Sequence, residues 1–577
     1  MPLARRSVAF ANPKFANSDS STQCGVRRKE DRDYNPDARL EIGRTLRPGA
    51  VRRQPCVARR AVAHPEIAPG KAGRADLGGL RTARAARPAV PRKRFWRYHG
   101  ALSSGKAPGR QAGMLVVSSY WRAAPGASTR ASRRAALQSR AFGHKKVMDV
   151  IVIGGGIAGI ATAYQLHAAG HRVCVVERHA TVAQGATYGQ GGALLPSPLD
   201  VWFGPTFMAS SRAKQSGMVA KTGFDSAARD FLKQHATLRD PEAFTAQYAR
   251  LQPLVDMSRG VLAGIESRLE LDFEQRRGVL HVFRQPREFD EAQPAIGLLK
   301  TCGVPHRVLT PEECVEIEPS VPDYPEFAGA VLLPEERTAN CPLFTKQLKQ
   351  TLEDAGVQFR MHRAVAALRL DGARAAVELA VANEGRKRSA DVELIAADAI
   401  VVAAGSGTPA LVGGNKPVAS LLPLRVHTLT APVAYEERAP HLTVVDSTKR
   451  ITMTRVGQRL RVGGAGVFQS AAKADKPLDA TLARRALDLL GQGTHDWIPG
   501  AARVSAARAW DGVRLMTADG LPIVGATRHP RLFVNAAHGP AGWGLACGSA
   551  KVIADLVSGV TPDLPADTLA ALSPERF

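Results

Sequence analysis

Acidic charge is in short supply in this chain of 577 residues, where 52 Asp and Glu face 78 Lys and Arg for a formal net charge of +26. Such an excess suits nucleic acid or an anionic membrane surface as partner only if it is spread over the folded body. It is concentrated instead: residues 1–147 hold 32 Lys and Arg against 8 acids, leaving 46 against 44 for residues 148–577. Cysteine is scarce too, with 7 in all and no C-x-x-C pair, which argues against a disulfide framework and a zinc site and for a reducing, cytoplasmic compartment. There is no run of 18 apolar residues, so no membrane-spanning helix is expected, although peripheral attachment to the inner face of a membrane stays open. The first residues lack the apolar stretch of a secretory signal. No grouping of His, Asp, Glu and Cys has metal-ligand spacing, and no metal is expected. What the chain does have is 45% apolar and aromatic residues, enough for a large core at a length two or three times that of an ordinary domain.

Residues 1–147 are rich in Arg, Ala, Pro and Gly, lack sustained periodicity and read as disordered. Three explanations compete: a basic tail that binds polyanions, an Arg-rich transit sequence, and upstream DNA translated ahead of a true start at Met148. We expect the third, because a segment with so few apolar clusters gains little by folding and Met148 stands one residue before a buried-strand pattern. No nucleic-acid partner is then expected. The opposing reading, a polyanion-binding protein acting through its tail, requires salt-sensitive binding that disappears without that segment.

Beyond Met148 the pattern is specific. Asp149–Ile153 reads as a short buried strand and runs into Gly154, Gly156 and Gly159, which satisfy G-x-G-x-x-G. A helical pattern follows from Ile157 to about Ala169 and ends at Gly170; a second strand, Arg172–Val176, leads to Glu177. This is a complete βαβ context for a dinucleotide. Gly154 allows a tight turn, Gly156 lets backbone approach a pyrophosphate, Gly159 permits close helix packing, and the helix N-terminus offers N–H groups to phosphate. Glu177 would accept hydrogen bonds from the adenosine ribose. FAD and NAD share this fingerprint. The chain contains it once, but adds a glycine-rich stretch at 185–192, with Thr187 and Gly191, and another at 404–407, with Gly405, after the apolar strand Ala399–Ala403. Several such close approaches suit a cofactor as long as FAD.

The order of these motifs, followed by Trp510–Gly525 with Arg514 inside it, resembles the D-amino-acid oxidase superfamily of FAD-dependent amine oxidoreductases. Within it the chain looks most like the small subunit of bacterial D-amino acid dehydrogenases, through His538–Ser549, Cys341–Phe344 and Arg459–Gly464. The resemblance covers residues 148–577. It implies an α/β fold, α+β overall, in which an FAD-binding Rossmann-like domain (148–200, 338–425 and 505–577) is interleaved with an antiparallel-sheet substrate domain (201–337 and 426–504). It also implies oxidative deamination of a D-amino acid, such as D-alanine, to a 2-oxo acid and ammonia. The hydride would pass from Cα to flavin N5, and the electrons to a quinone-linked acceptor. The alternative on the same scaffold is an oxygen-using glycine, sarcosine or secondary amine oxidase.

The resemblance also assigns residues. Arg514 matches the arginine that holds the substrate carboxylate, a task suited to a planar, permanently charged fork. Arg508, on the same side of an extended segment by period two, is a weaker candidate for that task. His538 is a candidate acid or base. Gly539 and Gly542, in the turn that leads to Gly544, would aim backbone N–H groups at the flavin pyrimidine edge, where negative charge develops. Val365 matches a position where main chain meets the adenine. Trp202 and Phe203 match aromatics near the pocket mouth, though core packing explains them equally well. His427 departs from the family pattern, and Cys547, with no basic activator nearby in sequence, reads as packing rather than redox.

Overall fold

The computed structural model describes residues 146–576 apart from 195–196, 200–217, 222–225, 323–326, 372, 383–392, 414–420, 471–473 and 475. The basic segment up to residue 145, and Trp202 with Phe203, lie outside the described residues. In chain order the strands are β1 Asp149–Ile153, β2 Arg172–Val176, β3 Met218–Lys221, β4 Arg276–Phe283, β5 Arg307–Leu309, β6 Gly329–Thr338, β7 Gln358–Arg360, β8 Arg363–Arg369 and β9 Ala375–Val381. They continue as β10 Glu393–Ala397, β11 Ala399–Val402, β12 Leu422–Pro432, β13 Thr443–Asp446, β14 Ile451–Val456, β15 Arg459–Phe468, β16 Arg508–Met516, β17 Ile523–Ala526 and β18 Leu532–Ala536.

Six of them form one sheet in the order β17-β18-β11-β1-β2-β7, parallel except where β17 meets β18. Alternation along β1 sends its side chains to opposite layers. Val150 and Val152 pack against helices α1 (Ile157–Ala168), α2 (Pro241–Leu269), α3 (Cys341–Asp354) and, further along the chain, Gly542–Val557. Ile151 and Ile153 pack toward the three-stranded sheet β10-β9-β8. Both faces are covered, which is why these strands read as continuous apolar runs. Helix α1 ends at Ala168, and Gly170 turns the chain with φ +92° before β2.

The second large sheet has nine strands, in the order β16-β12-β15-β14-β13-β4-β6-β5 with β3 beside β15. Its pairing is mostly antiparallel; β13–β4 and β15–β3 are the parallel pairs. One face buries Leu280, Val282, Val444, Met453 and Val462 against helix α4 (Ala480–Trp497), through Ala486, Leu490 and Trp497. The other face carries Val279, Leu333, Val426 and Val445. Strand β16 pairs with β12 from Leu422↔Met516 to Thr430↔Arg508. Residues 508–516 therefore pair into this sheet, a membership set by long-range pairing that no local pattern announces.

Candidate active site

The parallel sheet places four strand ends together. Chain leaving the carboxyl ends of β1, β2, β11 and β18 lines one cleft of about 970 Å³, where open parallel sheets hold their ligands. After β1, the Gly154 amide donates to the Val176 carbonyl at 2.8 Å, and φ +113° turns the chain. A Cβ there would stand 2.3 Å from the Ala403 carbonyl oxygen, and one at Gly159 would stand 1.9 Å from the Gly154 oxygen. Glycine is thus demanded by backbone meeting backbone. The first intrahelical bond of α1 is Ile160 N–H to Gly156 O, so the N–H groups before it have no helical acceptor, and Gly156, Ile157 and Ala158 line the cleft.

Glu177, 8% exposed, accepts from the Gly155 amide at 2.6 Å and from the His179 amide at 2.8 Å. Each carboxylate oxygen keeps a lone pair for a ribose hydroxyl. Thr187 Oγ1 accepts from Ile157 N–H at 3.0 Å, tying the second glycine-rich stretch to the start of α1. Gly405 and Gly539 turn at φ +55° and +56°, and Gly542 opens helix α5 (Gly542–Val557); all three line the cleft.

A second cavity of about 840 Å³ adjoins the first, and Gln190 and Arg514 line both. Part of its wall is one row across the nine-stranded sheet. His281 pairs with Val445, Val445 with Thr452, and Thr452 with Gly463. The row reaches Thr428, whose Oγ1 donates to the Gly189 carbonyl at 3.1 Å. Arg514 Nη2 donates to the same carbonyl at 3.1 Å. Trp510 stands opposite Thr428, and its indole would lie 1.9 Å from a Cβ at Gly189 and 2.2 Å from one at Gly512, so two glycines make room for one ring. Arg425 bonds Asp511, Gln469 and the carbonyls of Ala474 and Lys476, fixing the bulged stretch that carries His427 into the cavity wall.

The first cleft suits a flavin dinucleotide on its own terms. It offers a glycine cradle, a carboxylate at the end of β2 and a helix N-terminus between them. At the far end the indole Nε1 of buried Trp543 has no partner among the described residues. Residues 149–556 match the family profile described as DAO, FAD dependent oxidoreductase. The chain belongs to this DAO family.

Among DAO-family relatives, the D-amino acid dehydrogenase of Agrobacterium fabrum is 31% identical over 429 residues, 73% of this chain and 99% of the relative. That of Rhizobium rhizogenes is 34% identical over 439 residues, 74% and 100% of the two chains. Glycine oxidase from Geobacillus kaustophilus shares the fold at TM-score 0.54 and 21% identity, covering 74% of this chain and 99% of its own. So does L-alpha-glycerophosphate oxidase from Mycoplasma pneumoniae with FAD bound, at 0.52 and 16%, covering 73% and 98%. The chain is therefore an FAD-dependent oxidoreductase with the mixed α/β fold of its family.

Gly154, Gly156, Glu177, Thr187, Gly405, His538, Gly539 and Gly542 all line the first cleft, and Gly159 packs directly behind it. Gly191 lines the second cavity. Val365 lines neither cavity: it sits in β8 opposite Leu379, while the backbone beside Glu177 is that of Arg360 and Arg363. Arg508 is exposed at the start of β16, away from both cavities. His538 is neutral, pushed by burial to about 4, and its Nε2 meets Ser549 Oγ at 3.1 Å on the cofactor side. Burial pushes the Cys547 thiol up to about 12. Gln190, His281, Glu336 and Asn535 escaped the sequence reading; only the glycines beside Gln190 signalled any of them. Arg461, inside a recognised motif, proves to be a buried cation whose Nη1 reaches the Gln190 carbonyl at 3.4 Å. Among the described residues no group of side chains could hold a metal ion, and no helix is long and apolar enough to cross a membrane.

Proposed function

We propose that this protein oxidatively deaminates D-amino acids, D-alanine among them, to 2-oxo acids and ammonia. The observation that carries this reading is the position of Arg514, a cation shared by the wall of the cofactor cleft and the wall of the second cavity. A substrate whose carboxylate meets that fork has its Cα held at the boundary between the two cavities. FAD, when bound, supplies the two-electron acceptor that takes the hydride from Cα. The substrate must present a neutral amine, because an ammonium has no lone pair to form the C=N bond. Burial beneath Val279, Leu333, Val426 and Val445 disfavours the ammonium and promotes that proton loss. His538 faces the cofactor side, and we assign it to holding the turn before α5 through Ser549 rather than to proton transfer at the substrate. The N–H groups of Gly539 and Gly542, both in the cleft wall, would meet the cofactor where negative charge accumulates on reduction. Water adds to the released imino acid, and ammonia leaves.

The dehydrogenase names of the relatives support an electron acceptor other than oxygen, and we assign a quinone-linked one, reached from the cytoplasmic face of the membrane. Anaerobic mixing with D- and L-amino acids tests the reaction: bleaching of the flavin by D-amino acids is expected, and bleaching by none of them overturns the reading. Faster reoxidation by a quinone analogue than by oxygen is expected; the reverse result makes the protein an oxidase.

A further inference from the structure

The second cavity contains polar groups for which the carboxylate clamp has no use. His427 donates its Nδ1–H to the Ala465 carbonyl at 2.9 Å, which fixes the tautomer and leaves Nε2 as a bare acceptor without a partner among the described residues. The ring is 3% exposed. His281, 5% exposed, is neutral because burial pushes it to about 4, and its Nδ1 is likewise without a partner among the described residues. Glu336 lines the same cavity, with no hydrogen bond or close ion pair among the described residues, and burial raises its pKa.

The cations nearest Glu336 are already committed. Arg337 holds Glu266 at 3.0 Å and Gln275 at 2.6 Å, and Arg259 holds Asp256 at 3.2 Å. Beside the cations Arg337 and Arg514 that also line it, the wall presents the carboxylate of Glu336 on β6, with neutral His281 on the adjacent strand β4 and the His427 Nε2 lone pair four strands across the sheet from His281. A carboxylate without a close donor is best satisfied by a positively charged one.

Position agrees with chemistry. Arg514 bonds the carbonyl of Gly189, and Leu194 N–H bonds the carbonyl of Arg337 at 2.9 Å, next to Glu336. The clamp and the acceptor group thus flank the two ends of one short strip, residues 189–194, whose covalent length is at most roughly 17 Å. That limit leaves room for a long amino acid between the Arg514 and Glu336 side chains, both of which line the cavity.

We propose that the second cavity selects D-amino acids with a cationic side chain, lysine- or arginine-like, whose terminal group pairs with Glu336. The inference rests on the deamination reading and names its substrate class. It is tested by anaerobic flavin reduction of the FAD-loaded enzyme with D-arginine, D-lysine, D-norleucine, D-glutamate and D-alanine. A kcat/KM for D-lysine at least ~30-fold above that for D-norleucine is expected. In Glu336→Gln, the D-lysine to D-alanine ratio should fall at least ~30-fold; Glu336→Asp should restore part of it. Flavin content and circular dichroism show whether each variant folds, and competitive inhibition of the wild type by butylguanidine provides a measurement independent of the variants.

Equal or better turnover of D-norleucine, or no inhibition by butylguanidine, overturns the inference and leaves deamination standing. An equal loss for D-lysine and D-alanine in Glu336→Gln also overturns it, since Glu336 would then serve the α-ammonium. Bleaching by no D-amino acid overturns both.

Discussion

The cofactor cleft and the second cavity are built in opposite ways. The cleft takes its cradle from one contiguous run, Gly154–Gly159, closed by Glu177 at the end of the next strand, and its chemistry is mostly main chain. The second cavity draws His281, Val445, Thr452, Gly463 and His427 from five strands, and its chemistry is mostly side chain. A site made of backbone tolerates change at most positions and none at its glycines. A site made of side chains is tuned by substitution, while the sheet beneath it must hold register, because a one-residue slip would turn every one of those groups to the other face.

The largest effect should come where backbone meets backbone. Gly154→Ala adds a Cβ 2.3 Å from the Ala403 oxygen at φ +113°. Steric strain and an unfavourable dihedral together should cost about 4 kcal/mol. Flavin should be lost from the purified protein and Tm should fall, both visible from the flavin-to-protein absorbance ratio and a melting curve. Retention of flavin at an unchanged Tm would contradict the backbone account.

Next comes the residue shared by the two regions. Arg514→Lys keeps the charge but loses the planar fork, so kcat/KM for D-amino acids should drop about 100-fold, mostly through KM, with flavin content unchanged. A loss of flavin equal to the loss of activity would move Arg514 wholly to the cofactor side. The third change tests the sheet beneath the cavity. Asp446, fully buried, accepts from Arg284 at 2.6 Å, Trp497 Nε1 at 2.8 Å and the Lys449 amide at 2.8 Å, pinning β13 to helix α4. Asp446→Asn should cost about 2 kcal/mol of stability by denaturant titration, with flavin affinity preserved in the variant that remains folded.

The same contrast explains what could be read before the fold was known. Gly154, Gly159, Glu177 and strands β1 and β2 were legible because their roles depend on neighbours in the chain: a turn, a helix start and an apolar run. Arg514 was legible only through its motif. His281 carried no local signal; it is one polar residue within the apolar run 279–283, and its place in a cavity wall depends on pairing with Val445 from a strand more than 150 residues away. Glu336 lies two residues from the end of β6, where the alternation breaks after Leu333↔Val279, so period-two reasoning does not predict which way it faces. Val365 rests on the resemblance alone: a bulge between Val365 and Ala367 shifts the pairing of its strand, and the chain that bonds Glu177 is that of Arg360 and Arg363.

The smallest effect compares the two regions in a single titration. His538 on the cofactor side and His281 in the second cavity are both held neutral by burial, at about 4, below the ordinary 6.5. Between those values the unfolded chain binds a proton at each site and the folded chain does not, so stability rises with pH across the window. The contribution is complete above 6.5 and is lost as pH falls toward 4. Each histidine should add about 1.4 kcal/mol per pH unit to that slope. Denaturant titrations between pH 7 and 5 should show the slope, and His281→Gln and His538→Gln should each flatten it by one proton. If His281→Gln leaves the slope unchanged, then His281 takes a proton in the folded protein, and a charged imidazole in the second cavity would repel the cationic side chain that Glu336 is proposed to hold.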